Sequence, residues 1–147
     1  MRSLWPALFA ILALAVPVLS ACGGESGASA LATATPVRTI EVDLQDIAYT
    51  SSRLELAAGE VVDLVLTNSG ALDHDFTIDE MPGQALVLGP QTASHQEHAT
   101  HAAVHAAPGP GKTVTARLRP SSKGQFAFYC SVKGHRDAGM AGTLLVT

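Results

Sequence analysis

The sequence predicts an all-β sandwich. Apolar and polar residues alternate with a period of two in several short stretches, turn residues separate these stretches, and no convincing helical pattern occurs outside one alanine- and histidine-rich segment. Successive side chains of a strand point to opposite faces, so this alternation places one face against a core and the other against water. Short strands separated by turn signals are typical of β-sandwiches.

The predicted strands begin at Ile40, where Ile40, Val42 and Leu44 alternate with two acidic residues. Residues 61–67 form the most apolar predicted strand, and the turn Asn68-Ser69-Gly70 ends it. The other predicted strands are 53–56, 74–78, 113–119, 126–130 and 143–146.

The size and charge of the chain limit its class. It has 147 residues, with 9 basic and 13 acidic side chains and a net charge of −4. This length fits one domain with terminal extensions. The mild negative charge argues against a nucleic-acid partner. A domain of this size buries about two-thirds of its unfolded surface without help from disulfides or subunits, so we expect a monomer.

The N-terminus has the features of a bacterial export signal. An apolar run from Ala7 to Leu19 follows the positive charge of Arg2 and is too short to span a bilayer. It ends in Leu19-Ser20-Ala21-Cys22, which resembles a lipobox, where cleavage leaves Cys22 as a lipidated N-terminus. The alternative is an ordinary signal peptide that leaves Cys22 as a spare thiol. We favour residues 1–21 as a lipoprotein signal peptide, with the protein anchored by lipid to a membrane outside the cytoplasm.

Residues 22–38 are predicted to be a flexible linker between the lipid and the domain. The stretch from Gly23 to Pro36 is rich in glycine, serine, alanine and threonine and carries one charge. Such a composition is typical of flexible segments. The folded domain is then expected to span residues 39–147.

Metal-ligating residue types are concentrated near the C-terminus. Cys130, His135 and Met140 follow one another with four residues between neighbours, and His74 lies upstream between two aspartates. A thiolate, two imidazoles and a weak thioether are the ligands of a trigonal copper site. If Cys22 carries lipid, Cys130 has no disulfide partner, and a metal explains its presence in an exported protein. The alternative is that Cys130 is a small buried hydrophobe.

These residues resemble the ligand set of the cupredoxins, the blue or type 1 copper proteins. The spacing Cys-x4-His-x4-Met is most similar to that of auracyanin, sulfocyanin and rusticyanin, and the resemblance covers residues 40–146. It implies a Greek-key sandwich with one type 1 copper ion at one end. The implied ligands are His74, Cys130 and His135 in a plane and Met140 on the axis. Lys133 departs from the pattern, because many relatives have a proline before Gly-His.

Three further residues are expected to support the copper site. Asp75 follows the first ligand, where relatives commonly carry a short polar residue that ties the two ligand loops together. The alternative is an ordinary solvent-facing carboxylate. Phe126, Phe128 and Cys130 share one face of a predicted strand. Phe126 and Phe128 are therefore expected to bury the sulfur and to tune the reduction potential.

Residues 84–110 are predicted to be irregular and contain a histidine-rich insert at about 91–107. The four histidines His95, His98, His101 and His105 recur every three or four residues, so on a helix they would form one stripe. One interpretation is a second, weaker metal site or a docking patch that becomes charged below neutral pH. The other, which we favour, is a solvated loop, since no cysteine or paired carboxylate completes a closed site.

The resemblance implies an electron carrier rather than an enzyme. Four protein ligands fill the coordination of the metal and leave no open position, unlike catalytic metal sites. We expect transfer of single electrons between redox partners such as a cytochrome or a membrane oxidoreductase. The alternative is a periplasmic copper-binding or delivery protein that loads copper through the histidine-rich insert.

Overall fold

The computed structural model describes residues 27–92 and 100–147, which form two β-sheets around a common core. The predicted all-β sandwich is confirmed, with one short helix in addition. The elements are α1 (Gly27–Thr33), β1 (Arg38–Gln45), β2 (Ala48–Tyr49), β3 (Arg53–Leu56), β4 (Val62–Asn68), β5 (Phe76–Ile78), β6 (Gly83–Leu88), β7 (Val104–Ala106), β8 (Thr113–Pro120), β9 (Gly124–Tyr129) and β10 (Ala141–Val146).

Each sheet contains five strands. The first has the order β2-β1-β4-β8-β6 and the second the order β3-β10-β9-β5-β7. β1 pairs with β4 and β3 pairs with β10 in parallel, and the other pairs are antiparallel. In the β9–β10 pair, Tyr129 lies opposite Ala141. The loop between these two strands therefore starts and ends at the same end of the sandwich.

The alternation in the sequence becomes alternating burial in the strands. Every second residue of β4 is buried, and β8 shows the same pattern. Phe76 of β5 and Phe128 of β9 are completely buried and stack with ring centroids 4.8 Å apart. Tyr49 meets both rings edge-on. Aromatic pairs of this kind contribute about 0.5–1.5 kcal/mol beyond their area burial, so they brace β5 against β9.

Part of the segment predicted as a flexible linker, residues 27–33, forms the helix α1. α1 lies against β6 and buries Leu31 completely. Nη1 of Arg117 donates hydrogen bonds to the carbonyls of Ala32 and Ala34 at 3.0 and 2.9 Å. Burial of Leu31 and the hydrogen bonds from Arg117 to the last carbonyls therefore hold α1 in place. They do so although the composition of this segment is typical of a flexible chain. α1 has seven residues, and no helix in the described part of the chain is long and apolar enough to cross a membrane.

The segment predicted to be irregular contains two strands. β6 pairs with β8, from Gly83 opposite Pro120 to Leu88 opposite Thr115. Its central residues are half-buried on both faces, which is why its sequence does not alternate. β7 has three residues, too few to give a pattern, and pairs with β5. Residues 93–99, with His95 and His98, and residues 1–26, with the predicted signal peptide and Cys22, lie outside the described residues.

Candidate metal centre

The four predicted ligands lie at one end of the sandwich, where strand ends fix their positions. His74 ends the loop that leads into β5 at Phe76. Cys130 directly follows β9 and Met140 directly precedes β10. The N–H of Cys130 donates to the carbonyl of Met140 at 3.0 Å. This hydrogen bond continues the pairing of the two strands, so the chain between them forms a closed loop that carries His135.

Residues 130–140, here called the ligand loop, are folded by their own backbone. The N–H of Met140 donates to the carbonyl of His135 at 2.9 Å. Gly134 and Gly139 have φ angles of 85° and 103°, which residues with a side chain rarely adopt. The two glycines therefore let the loop turn tightly enough to return its histidine toward its cysteine.

The donor atoms converge on one point. Sγ of Cys130 lies 3.9 Å from Nδ1 of His74 and 3.5 Å from Nδ1 of His135, and the donor atoms all lie within 4.8 Å of one another. Donors that bind one ion at about 2.0–2.3 Å in a plane lie roughly 3.5–4 Å apart, so the three residues fit a single metal ion. Met140 is completely buried and belongs to the same hydrophobic core cluster as Cys130. Elsewhere in residues 27–92 and 100–147, no group of three or more histidine, cysteine or carboxylate ligands comes together in this way.

The four ligand residues differ in their access to solvent. His74 is 1% exposed, and Cys130 and Met140 are completely buried. His135 is only half-buried, and its ring lies 5.0 Å from that of His74. The residues that follow His135 in the ligand loop are exposed: Arg136 and Asp137 are charged, and Ala138 and Gly139 are small. The edge of His135 is therefore the most accessible part of the site.

Burial favours the neutral forms of the two buried titratable donors, Cys130 and His74. It raises the pKa of the Cys130 thiol to about 11, and it lowers the pKa of the His74 imidazole, because a charged group loses hydration in the interior. A neutral imidazole offers its lone pair, whereas the thiol ionises only when a cation is bound beside it. The donor atoms of this site therefore fit a metal cation. One thiolate, two imidazoles and a thioether form the donor set of a type 1 copper centre.

Asp75 ties the two ligand-bearing segments together. Its carboxylate is completely buried and accepts hydrogen bonds from the N–H and the hydroxyl of Ser131 at 2.7 and 2.5 Å. The hydroxyl of Thr77 donates to it at 3.0 Å. Asp75 follows His74 in the chain and Ser131 follows Cys130, so these contacts fix one ligand relative to the other. Both carboxylate oxygens act as acceptors, which an amide side chain cannot reproduce.

Comparison with known proteins identifies the family. A profile of the cupredoxin-like domain matches residues 8–146. The chain belongs to the cupredoxin-like family. The resemblance that the ligand spacing indicates is thus confirmed, and the cluster of His74, Cys130, His135 and Met140 is typical of the type 1 copper site.

Proteins similar to this cupredoxin include CopI cuproproteins and auracyanins. The copper-resistant cuproprotein CopI of Rubrivivax gelatinosus is 28% identical over 163 residues, which cover 99% of this chain and 98% of that protein. CopI of Pseudomonas aeruginosa is 27% identical over 95% of this chain and 90% of that protein. Auracyanin B has 24% identity and a TM-score of 0.59 over 78% of this chain and 91% of its own. Auracyanin from Roseiflexus castenholzii has 21% identity and a TM-score of 0.57 over 77% of this chain and 99% of its own. The auracyanins share the fold, whereas the CopI proteins match nearly the full length.

Phe128 packs in the core next to the ligands of the cupredoxin site. It belongs to the same buried cluster as Cys130 and Met140, whereas Phe126 is only half-buried. Gly142 lies opposite Phe128 in the β9–β10 pair, and a Cβ at Gly142 would overlap the phenyl ring. The Phe128 ring therefore packs directly against the backbone of β10 at Gly142.

Asp46 lies next to the cupredoxin site, although no sequence pattern indicates it. Its Oδ1 lies 3.6 Å from Nε2 of His74. The same oxygen accepts hydrogen bonds from the N–H groups of Ala71 and Leu72 at 2.8 and 3.2 Å. These donors, that of Leu72 first, lower the pKa of the Asp46 carboxyl. Asp46 belongs to the turn between β1 and β2, so only the folded chain brings it to His74.

The histidines of the insert do not form a helical stripe in the described residues. His105 lies in β7, is 9% exposed, and its Nδ1 is 3.0 Å from the hydroxyl of Thr77. His101 is exposed and lies in the turn before β7. The helical and the solvated-loop interpretations are both wrong for His105, because pairing with β5 makes it part of a sheet. The predictions for His95 and His98 fall outside the described residues.

Proposed function

We propose that this cupredoxin carries single electrons between redox proteins outside the cytoplasm, with one type 1 copper ion as its cofactor. The observation that carries the proposal is the geometry of the ligand set. Three of the four ligand residues, His74, Cys130 and Met140, are buried. The fourth, His135, is only half-buried and leads to the surface. A centre that is rigid and has a single accessible edge suits electron transfer better than substrate binding.

The protein contributes geometry, and the metal contributes the redox change. A bound copper ion supplies the chemistry by cycling between Cu(II) and Cu(I). Soft sulfur suits Cu(I) and imidazoles in a tetragonal field suit Cu(II), so a mixed set held in one arrangement serves both states. Asp75 and the backbone hydrogen bond between Cys130 and Met140 hold that arrangement. Little movement of ligand atoms then accompanies the change of charge, which keeps electron transfer fast.

The proposal includes a place and a type of partner. We propose that Cys22 carries lipid and anchors the domain outside the cytoplasm, on the basis of the lipobox resemblance of Leu19-Ser20-Ala21-Cys22. The partner would be a cytochrome or a membrane oxidoreductase that contacts the edge of His135. No enzymatic activity is proposed, since four protein ligands leave no position for a substrate.

The test uses the mature chain from residue 22 with the substitution Cys22→Ser, which removes the acceptor of the lipid. Titration with Cu(II) is expected to give an intense thiolate-to-copper absorption band and narrow copper hyperfine splitting in EPR, both saturating at one equivalent. Voltammetry is then expected to show reversible one-electron cycling without loss of copper. An ordinary tetragonal copper signal, or loss of copper on reduction, would contradict the proposal.

A second candidate function is copper binding in copper resistance. The similarity to two CopI cuproproteins, described as copper-resistant, over nearly the full length of both chains favours it. In this role the protein would hold or deliver copper rather than pass electrons. Transfer of Cu(I) to a competing chelator separates the two functions. An electron carrier retains its copper through many redox cycles, whereas a delivery protein exchanges it quickly.

A further inference from the structure

His74 faces two different groups with its two ring nitrogens. Nδ1 points to the ligand cluster, 3.9 Å from Sγ of Cys130. Nε2 is buried and makes no hydrogen bond within 3.5 Å in the described residues. The carboxylate oxygen Oδ1 of Asp46 lies 3.6 Å from it, on the side away from the cysteine. A histidine that binds a metal through one nitrogen carries its proton on the other, and that N–H commonly meets a carboxylate.

The chain is built to hold the Asp46 carboxylate at this position. Ile47, the next residue, has a φ of 60°, which is rare for a β-branched residue. Gly70 lies directly against the carboxylate, and a Cβ there would overlap Oδ1. Ala71 and Leu72 donate their N–H groups to the same oxygen. A strained turn, a residue without a side chain and two backbone donors thus converge on one carboxylate beside a metal ligand.

We propose that Asp46 is a positioning residue that fixes the Nε2–H tautomer of His74 and sets the affinity and reduction potential of the copper site. The tautomer is a property of the metal-free protein. Only the effect on the potential rests on the proposed electron-transfer function.

Two physical effects follow from this contact, and they are separable. As a nearby acceptor oxygen, 3.6 Å from Nε2, Oδ1 favours the proton on Nε2 and leaves the lone pair of Nδ1 directed at the ligand cluster. As a negative charge, the carboxylate stabilises Cu(II) more than Cu(I), and so lowers the potential. The side chain is 53% exposed, so solvent screens the second effect more than the first.

Asp46→Asn and Asp46→Ala separate these effects. Asparagine keeps Oδ1 as the common acceptor for Ala71, Leu72 and the imidazole but removes the charge, whereas alanine removes both. Glu41→Gln is the matched control, because it removes one charge from an exposed position on β1. Gly70→Ala provides a second perturbation that displaces the carboxylate without removing it.

The first measurement is the tautomer of His74 in the metal-free protein, read from the ¹⁵N shifts of its ring. We expect Nε2–H in the wild type, in Asp46→Asn and in Glu41→Gln, and a mixture of tautomers in Asp46→Ala and Gly70→Ala. An unchanged tautomer in Asp46→Ala would overturn the positioning role, and this result does not depend on any redox activity. Circular dichroism and thermal unfolding check that each variant is folded. If Asp46→Ala does not fold, the tautomer in Gly70→Ala decides.

The second measurement is made on the copper-loaded proteins. We expect Asp46→Ala to lose about 10- to 100-fold in copper affinity, the usual effect of removing the partner of a metal-bound histidine. We expect Asp46→Asn to keep most of the affinity and to raise the reduction potential, and Glu41→Gln to leave the potential unchanged. Equal reduction potentials in Asp46→Asn and the wild type would overturn the proposal that the charge of Asp46 lowers the potential. If the wild type bound copper without a type 1 spectrum, the proposed function would fail while the tautomer result stood.

Discussion

The ligand loop and the histidine-rich insert contain similar metal-binding side chains but differ in how the fold holds them. The ligand loop has three ligands in eleven residues, and strands β9 and β10 hold both of its ends. The insert has four histidines in a similar length of sequence, of which His105 is placed in a strand and His101 in an exposed turn. These two do not join any group of three ligands in the described residues. For His101 and His105, regular spacing does not bring ligands together, whereas anchoring at strand ends does so in the ligand loop.

The strongest test of this comparison is removal of the thiolate. In Cys130→Ala, the one sulfur ligand that gives intense colour is lost, so the blue or green absorption band is expected to disappear completely. The measurement is the visible spectrum and EPR signal of the protein titrated with one equivalent of Cu(II).

The matched control is His101→Ala, which removes a ligand type from the insert and is expected to leave the band unchanged. Retention of the band in Cys130→Ala would show that the ligand loop does not hold the copper.

The anchoring of the ligand loop from outside is tested by Asp75→Ala. This change removes the acceptor shared by the N–H and the hydroxyl of Ser131, whose hydrogen bonds to it are part-buried. It also removes one partner of the Thr77 hydroxyl, which keeps its contact with His105. We expect the free energy of unfolding of the metal-free protein to fall by about 3–5 kcal/mol, since each buried unpaired group costs about 1–3 kcal/mol. Urea unfolding measures this loss.

Ser131→Ala is the graded control, because it removes one hydroxyl donor and keeps the backbone N–H. Its expected cost is about 1.5–3 kcal/mol. If Asp75→Ala lost no more stability than Ser131→Ala, the carboxylate would not be the link between the two ligand-bearing segments.

The same contrast explains which parts of the molecule could be predicted from sequence. The copper ligands were predictable because Cys130, His135 and Met140 lie close together in the chain and their chemistry is specific. β6 was not, because its half-buried faces give no alternation, and α1 was not, because a single leucine anchors it. Asp46 was not predictable either, since its role depends on a turn far from His74 in sequence. Sequence shows local patterns, and the fold supplies the long-range contacts.

The buried thiol also predicts how the stability of the metal-free protein depends on pH. Burial raises the pKa of Cys130 from its ordinary value of 9.0 to about 11. The folded state therefore favours the neutral thiol, and the stability is fully present below pH 9.0 and is lost as the pH rises through about 11. A difference of about two pKa units corresponds to roughly 2–3 kcal/mol.

Denaturant unfolding in the presence of a chelator, at several pH values from 8 to 11, measures this loss. Cys130→Ala is the control, because it lacks the thiol but keeps Tyr129, whose pKa burial raises to about 12. The wild type is expected to lose more stability than the variant over this range. Parallel pH profiles would show that the thiol is not desolvated, and a transition near pH 6–7 would indicate a histidine instead.

The smallest expected effect is that of the insert itself. His101 is exposed, so His101→Ala is expected to change the free energy of unfolding by less than about 0.5 kcal/mol. The affinity for the first equivalent of Cu(II) is expected to stay the same, because the ligands at the end of the sandwich do not involve this residue. Isothermal titration with several equivalents of Cu(II) measures both the first and any weaker binding. A lower affinity for the first equivalent would show that the insert takes part in the copper site formed by the ligand loop and His74. Loss of a weaker second equivalent would instead favour copper handling as the function of the insert, since an exposed imidazole can bind copper without being part of the type 1 site.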